Sequence, residues 1–231
     1  MADSSLFHAP KDVPPELVLL LSDNLPTAYS IAYNAKLLAS EEQVQIVGKL
    51  QVKDPAGVCI VIGCGPVGLL TIVAAKTMFA KVFATDLDSD RLKVAEKYGA
   101  IALPGDKLDE ALSRATQGRG ADAVLELVGV SKALESALEL VRPYGVISSG
   151  GVYTADVNLP GSALYAKNVR IQFGRCSTRT YYEPALKLLK ENVQLFSDFV
   201  KAVSFEEAPK FYELFEQGKV AKIAFIFGSK E

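Results

Sequence analysis

The sequence predicts an α/β protein, a doubly wound parallel sheet accompanied by pieces of a second, smaller unit. Three observations carry this. From Val58 to Gly150, short apolar runs rich in β-branched residues alternate with longer amphipathic stretches, the order expected of a parallel sheet with crossover helices. The first strand-to-helix junction holds three closely spaced glycines, Gly63, Gly65 and Gly68. After Gly174 the rhythm changes to two helix–strand pairs, which read as a separate structural unit.

Taken in order, residues 1–35 contain proline turns and a short helix, PPELVLLL. The stretch AKLLASEEQVQIVGKLQVKDPAG is polar, ends in a turn, and is expected to be a surface connection. No charge occurs from Pro55 to Ala75, a run of 21 residues. That length can span a bilayer. Three glycines and Pro66 in its middle would break a spanning helix, so the run is read as a strand (VCIVI, 58–62), a glycine turn and a helix (66–79). VCIVI is apolar on both faces, as a strand covered on both sides must be.

Next come strand KVFAT and a helix at 89–97, strand AIALP and a helix at 106–116, and strand ADAVLEL with a helix at 131–141. Strand GVISSG follows, and VRIQF (169–173) is expected at the sheet edge. The tail contributes a helix (EPALKLLKE), a strand (DFVKAV), a helix (FEEAPKFYELFEQ) and a strand (AKIAFIF).

Bulk properties narrow the function classes. With 231 residues, 49% of them hydrophobic, the composition is that of an ordinary globular chain. A formal net charge of -2 offers no basic face for nucleic acid and no polybasic membrane anchor. Cys59, Cys64 and Cys176 form no CxxC pair. An odd count, with neither a basic nor an apolar leader after Met1, suggests reduced thiols and a cytoplasmic setting.

The segment Gly63-Cys64-Gly65-Pro66-Val67-Gly68 is G-x-G-x-x-G placed where a strand turns into a helix. Gly63 permits the tight turn, Gly65 lets a pyrophosphate approach the backbone, and Gly68 lets helix and strand pack closely. Pro66 lacks an N–H, which leaves Val67 as the better donor at the helix N-terminus. Eighteen positions beyond Gly68, KVFATD ends in Asp86. A carboxylate at the tip of the second strand accepts ribose hydroxyls and repels a 2′-phosphate, which favours NAD over NADP. The plain alternative is a helix cap by Asp86 or Asp88. Arg91 either flanks the adenine ribose or is a solvated face. Val128, Gly150, Gly151 and Val152 lie at two further strand ends, where small residues let a flat ring rest on the backbone; singly, each is equally a strand-exit residue.

GCGPVGL followed by DLDSDRLKVAEKYGA resembles the coenzyme domain of zinc-type medium-chain alcohol dehydrogenases. LLLSDNLPTAYS and the tail KNVRIQFGRCSTR through EEAPKFYELFEQGKVAKIAF resemble the formaldehyde-dehydrogenase-like branch. The resemblance implies a Rossmann domain over 27–173, flanked by 1–26 and 174–231 as remnants of a smaller GroES-like catalytic domain. It also implies NAD as coenzyme, an alcohol or aldehyde substrate, zinc as Lewis acid, and a homo-oligomer paired through edge strands. Residue by residue, it maps a zinc ligand onto Asp23, a catalytic threonine beside the nicotinamide onto Thr27, and a basic residue near the pyrophosphate onto Lys222.

The sequence also departs from that family. A catalytic zinc takes three protein ligands, and the family's cysteine and histidine ligands have no counterpart here. His8 is the one histidine and is read as a surface residue. Two functions compete on these grounds: an NAD-dependent oxidoreductase, truncated relative to its family and inactive alone if zinc is required, and a noncatalytic NAD(H)-binding module or oligomer partner. A methyltransferase ranks behind both, since its glycine loop lacks this third spacing.

Overall fold

The structure is a computed structural model and describes residues 6–45 and 57–228. In chain order it contains α1 (Pro15–Val18), α2 (Asn24–Gln45), β1 (Val58–Ile62), α3 (Pro66–Lys76), β2 (Lys81–Thr85), α4 (Ser89–Lys97) and β3 (Ile101–Ala102). There follow α5 (Gly105–Thr116), β4 (Ala121–Glu126), α6 (Ser131–Leu140), β5 (Val141–Ser149), α7 (Gly161–Lys167) and β6 (Arg170–Phe173). The tail holds α8 (Thr178–Glu191), α9 (Val193–Ser197), β7 (Val200–Ser204), α10 (Ala208–Glu216) and β8 (Lys222–Ile226).

Two compact units result, Thr27–Cys176 and a second formed by Met1–Pro26 with Ser177–Glu231. The first is the doubly wound α/β fold. Its six strands are parallel in the order β3-β2-β1-β4-β5-β6. The chain leaves β1 toward β2 and β3, then returns to the other side of β1 to begin β4. The direction of winding therefore reverses between β1 and β4, and a crevice opens at the carboxyl ends of those two strands.

Local sequence explains the strands. All five residues of β1 are buried. Ile60 joins Phe83, Val124 and Ile147 with Leu108 and Leu112 of α5 and Leu134 and Leu138 of α6 in one apolar cluster. The uncharged run thus divides into β1 and α3; no helix among the described residues is long and apolar enough to cross a membrane. VRIQF forms the edge strand β6, one residue shorter than expected.

Several expectations need correction. AKLLASEEQ is not a connection but the second half of α2, which runs to Gln45; residues 46–56 of that stretch lie outside the described residues. Ala28, Ala32 and Ala35 are fully buried at helical spacing, a small-residue stripe that the neighbouring polar residues obscured. Strand β3 keeps only Ile101–Ala102 of AIALP, whereas β5 starts at Val141, four residues before GVISSG. Helices α7 and α9 were not anticipated, and α8 begins at Thr178, with Pro184 inside it.

The second unit has its own apolar centre, with Leu17, Leu20, Leu25, Ala185, Leu189 and Phe196 all fully buried. Phe7 stacks on Tyr182 at 3.9 Å between ring centroids, and Lys190 pairs with Asp12 at 2.7 Å. Its two strands, β7 and β8, pair in parallel and are joined through α10.

Candidate functional site

The three glycines of the first turn have distinct physical reasons. Gly63 adopts φ +93°, the left-handed region that favours glycine, and its N–H donates to Thr85 O at 2.9 Å. A Cβ on Gly68 would lie inside van der Waals distance of Gly63 O, so only glycine lets α3 sit this close to the turn. Gly65 is different. Its backbone is extended, at φ -70° and ψ -173°, a conformation open to any residue. A Cβ there would meet nothing within 4 Å.

No neighbouring atom excludes a side chain at Gly65, as none does at Gly105 or Gly161. The space it leaves beside the backbone is room for a ligand. Gly65 is also the N-cap of α3, with no side-chain capping bond and Pro66 in the first turn, so the helix opens toward that vacant space with its positive dipole end. These residues fit a pyrophosphate.

Asp86 follows β2 and bends back over the turn. Its Oδ2 accepts from Cys64 N–H at 2.7 Å and its Oδ1 from Asp88 N–H at 2.9 Å. Each oxygen retains a second lone pair for a ligand hydroxyl. Capping is done by Asp88, whose Oδ1 accepts from Asp90 and Arg91 N–H groups at 2.8 and 3.4 Å. Asp86 is thereby released from that duty. Arg91 reaches both carboxylates, at 3.9 Å each. The Cys64 thiol is pushed up to about 12, first by burial and then by the Asp86 carboxylate, with Arg91 opposing, so it stays protonated near neutrality.

At the other side of the crevice, Val128 and Val152 stand at the rims of two strand-end loops, 47% and 82% exposed. Gly129 has φ +81°, and a Cβ on it would come within 2.6 Å of Val152 N and O. Gly150 lies against Ile31 of α2. The sequence reading missed the residue beneath these loops. Glu126, the last residue of β4, is fully buried. Its Oε1 accepts from Val128 and Gly129 N–H at 2.7 and 2.8 Å; its Oε2 accepts from Ser149 Oγ and Tyr153 Oη at 2.8 and 2.6 Å. Burial, then the bond to Glu126, raises the Tyr153 phenol well above its ordinary range. A charge at the end of the otherwise apolar strand VLEL was the available signal.

The structure thus gathers Gly63, Gly65, Pro66, Val67, Gly68, Asp86, Arg91, Val128, Gly150, Gly151 and Val152 at the carboxyl ends of one sheet. Thr27 belongs to the same unit, half-buried in α2, where its carbonyl accepts from Ser30 Oγ at 2.8 Å. Asp23 and Lys222 belong to the other unit. Asp23 is an exposed cap after the 3₁₀ turn Leu19–Ser22, and Lys222 opens β8, half-buried. Among the described residues no group of three or more His, Cys, Asp or Glu side chains could hold a metal. These residues do not fit a zinc ion.

Comparison with known proteins agrees with this geometry. The zinc-binding dehydrogenase family pattern matches residues 66–191, more than half of the chain. A zinc-type alcohol dehydrogenase B of Aspergillus flavus is 36% identical over 233 residues, covering 98% of this chain and 52% of that protein. A medium chain reductase/dehydrogenase of an Acremonium species is 40% identical over 159 residues, 66% of this chain and 51% of the other. Among solved structures, an alcohol dehydrogenase from Thermus sp. ATN1 superposes with a TM-score of 0.82 at 29% identity, over 96% of this chain and 61% of that one. The chain spans about half the length of the curated relatives it matches.

Proposed function

Because this chain belongs to the zinc-binding dehydrogenase family, we propose that it is an NAD-binding oxidoreductase chain serving hydride transfer between an alcohol or aldehyde and the coenzyme. The observation that carries the reading is the open space at Gly65, bordered by the capless end of α3 and by the Asp86 carboxylate. Gly65 and the N–H of Val67 would receive the pyrophosphate, and Asp86 the hydroxyls of the adenine ribose. Bound there, the coenzyme supplies a hydride acceptor in one direction and a donor in the other.

Charge around Asp86 supports NAD over NADP. Two carboxylates, Asp86 and Asp88, face one guanidinium, Arg91, so the position where a 2′-phosphate would sit is net negative and repels it. Val128, Gly150, Gly151 and Val152 offer a surface for the nicotinamide ring, and Thr27 of the same unit is proposed beside it; Lys222, to which the resemblance assigns the pyrophosphate, belongs to the other unit. Asp23, the zinc ligand that the resemblance implies, belongs to no three-ligand group among the described residues and is not proposed as a metal site.

The lack of a three-ligand metal group among the described residues favours a second reading, a chain that binds NAD(H) without turning substrate over. Titrating NADH by its fluorescence and then assaying alcohol oxidation with added zinc separates the two: turnover supports the oxidoreductase, and binding without turnover supports the module. The coenzyme seat itself is tested by Asp86→Ala. Loss of the ribose hydrogen bonds should weaken NAD binding by about 1–3 kcal/mol and narrow the gap between NAD and NADP. Unchanged affinities for both coenzymes would place the ribose elsewhere.

A further inference from the structure

We propose that Glu126 is a positioning residue for the nicotinamide end of the coenzyme, holding together the two strand-end loops on which the ring rests. This rests on the coenzyme reading above and adds to it a residue that never touches the ligand. Burial of Glu126 has a cost. A fully buried carboxylate gives up its hydration, and the four donors that meet it here are all neutral. A leucine or valine would fill the end of β4 without that cost. What the carboxylate gains is geometry.

Its Oε1 fixes the turn after β4 through Val128 and Gly129 N–H, and its Oε2 fixes the end of β5 through Ser149 and Tyr153 hydroxyls. The main-chain carbonyl of the same residue accepts from Gly150 and Gly151 N–H, at 2.8 and 3.2 Å. The side chain therefore ties both loops, and the backbone carbonyl adds two bonds to the second. The loops also interlock directly. A Cβ on Gly129 would come within 2.6 Å of Val152, and one on Gly151 within 2.7 Å of Glu126 Oε2. Tyr153 extends the network to a third strand end, its ring lying edge-on to Phe173 at 5.6 Å.

The loops so fixed carry Val128, Gly150, Gly151 and Val152, all on the nicotinamide side. The pyrophosphate and ribose seats at Gly65 and Asp86 share none of these bonds. The two ends of the coenzyme are thus held by separate hydrogen-bond networks, which adjoin where Val128 packs against Gly63.

Glu126→Gln tests this in the full chain. The amide keeps one acceptor for Val128 and Gly129 but turns an NH₂ donor toward Ser149 and Tyr153. Calorimetric titration with NADH and with ADP-ribose, which has no nicotinamide, reads the two ends separately. NADH affinity should fall about tenfold, the scale of one charge-assisted hydrogen bond, while ADP-ribose affinity moves less than about twofold. Tyr153→Phe keeps the ring against Phe173 and removes only the phenol donor, so it answers the question even if Glu126→Gln fails to fold. Its NADH loss should be about threefold, again with ADP-ribose unchanged. Equal losses for both ligands, or no loss of NADH affinity in a folded variant, overturn the positioning role while leaving the coenzyme seat intact. A wild-type chain that binds neither ligand overturns the coenzyme reading itself.

Discussion

Gly65 and Gly68 stand three residues apart and lack side chains for opposite reasons. At Gly68 the neighbour is the protein's own backbone, Gly63 O. At Gly65 there is only open space. Two alanine substitutions should therefore separate stability from binding. Gly68→Ala forces the turn and α3 apart and should cost about 1–3 kcal/mol of folding free energy, read as a lower unfolding midpoint. Gly65→Ala should leave that midpoint essentially unchanged and weaken NADH binding, because the added methyl occupies the space kept for phosphate. A reversed pattern would mean that the seat is not at Gly65. Both glycines, and the separate jobs expected of them, were legible in the sequence from the fingerprint spacing. What surrounds each Cα was not, because that depends on what else the fold brings near it.

At the scale of elements, the amino ends of three strands are pinned by one acid. Asp122 at the start of β4 accepts from Val58 N–H at the start of β1 and from Arg142 Nε of β5, each at 2.7 Å, and pairs with Arg119. Burial pushes its carboxyl up, but the two guanidiniums and the Val58 N–H outweigh that and hold it below the usual range. A group with a depressed folded-state value stabilises fully above its unfolded value, about 3.9 for aspartate, and loses that contribution as pH falls through the folded value. Asp122→Asn should then be less stable than wild type by roughly 1–3 kcal/mol at pH 7, with the deficit shrinking as pH drops below about 4. A pH-independent deficit would assign the loss to packing. Lys167 performs a similar task elsewhere. From the end of α7 it donates to Leu138 O, Glu139 O and Val141 O, at 2.6, 2.8 and 2.8 Å, closing the end of α6. Arg119 apart, the partners in both cases lie 20 or more positions away, and nothing local in the sequence marks either role.

For the whole molecule, the observation with most consequence is that the strand order reverses between β1 and β4. This brings the glycine turn after β1 beside the loop after Glu126, with Val128 against Gly63. Metal chemistry has no such place among the described residues, where Asp23 stands without a cluster of further ligands. Zinc or a chelator should therefore leave the unfolding midpoint of this chain unchanged. NADH should raise it, by about 2.7 kcal/mol of stability at a hundredfold excess over the dissociation constant. A zinc-dependent rise would reveal a metal site built from these residues and return weight to the oxidoreductase reading for this chain alone.

By itself the sequence determined the alternation of strands and helices, the glycine turn and the acid ending β2. All three are patterns within a few tens of residues, governed by backbone conformation and the pairing of one strand with its helix. Only the tertiary structure decided that a helix, α2, runs from Asn24 to Gln45, that Asp88 rather than Asp86 caps α4, and that Glu126 ties two loops together. Those outcomes depend on which distant atoms a parallel sheet brings within hydrogen-bonding reach, and neither spacing nor composition along the chain encodes that distance.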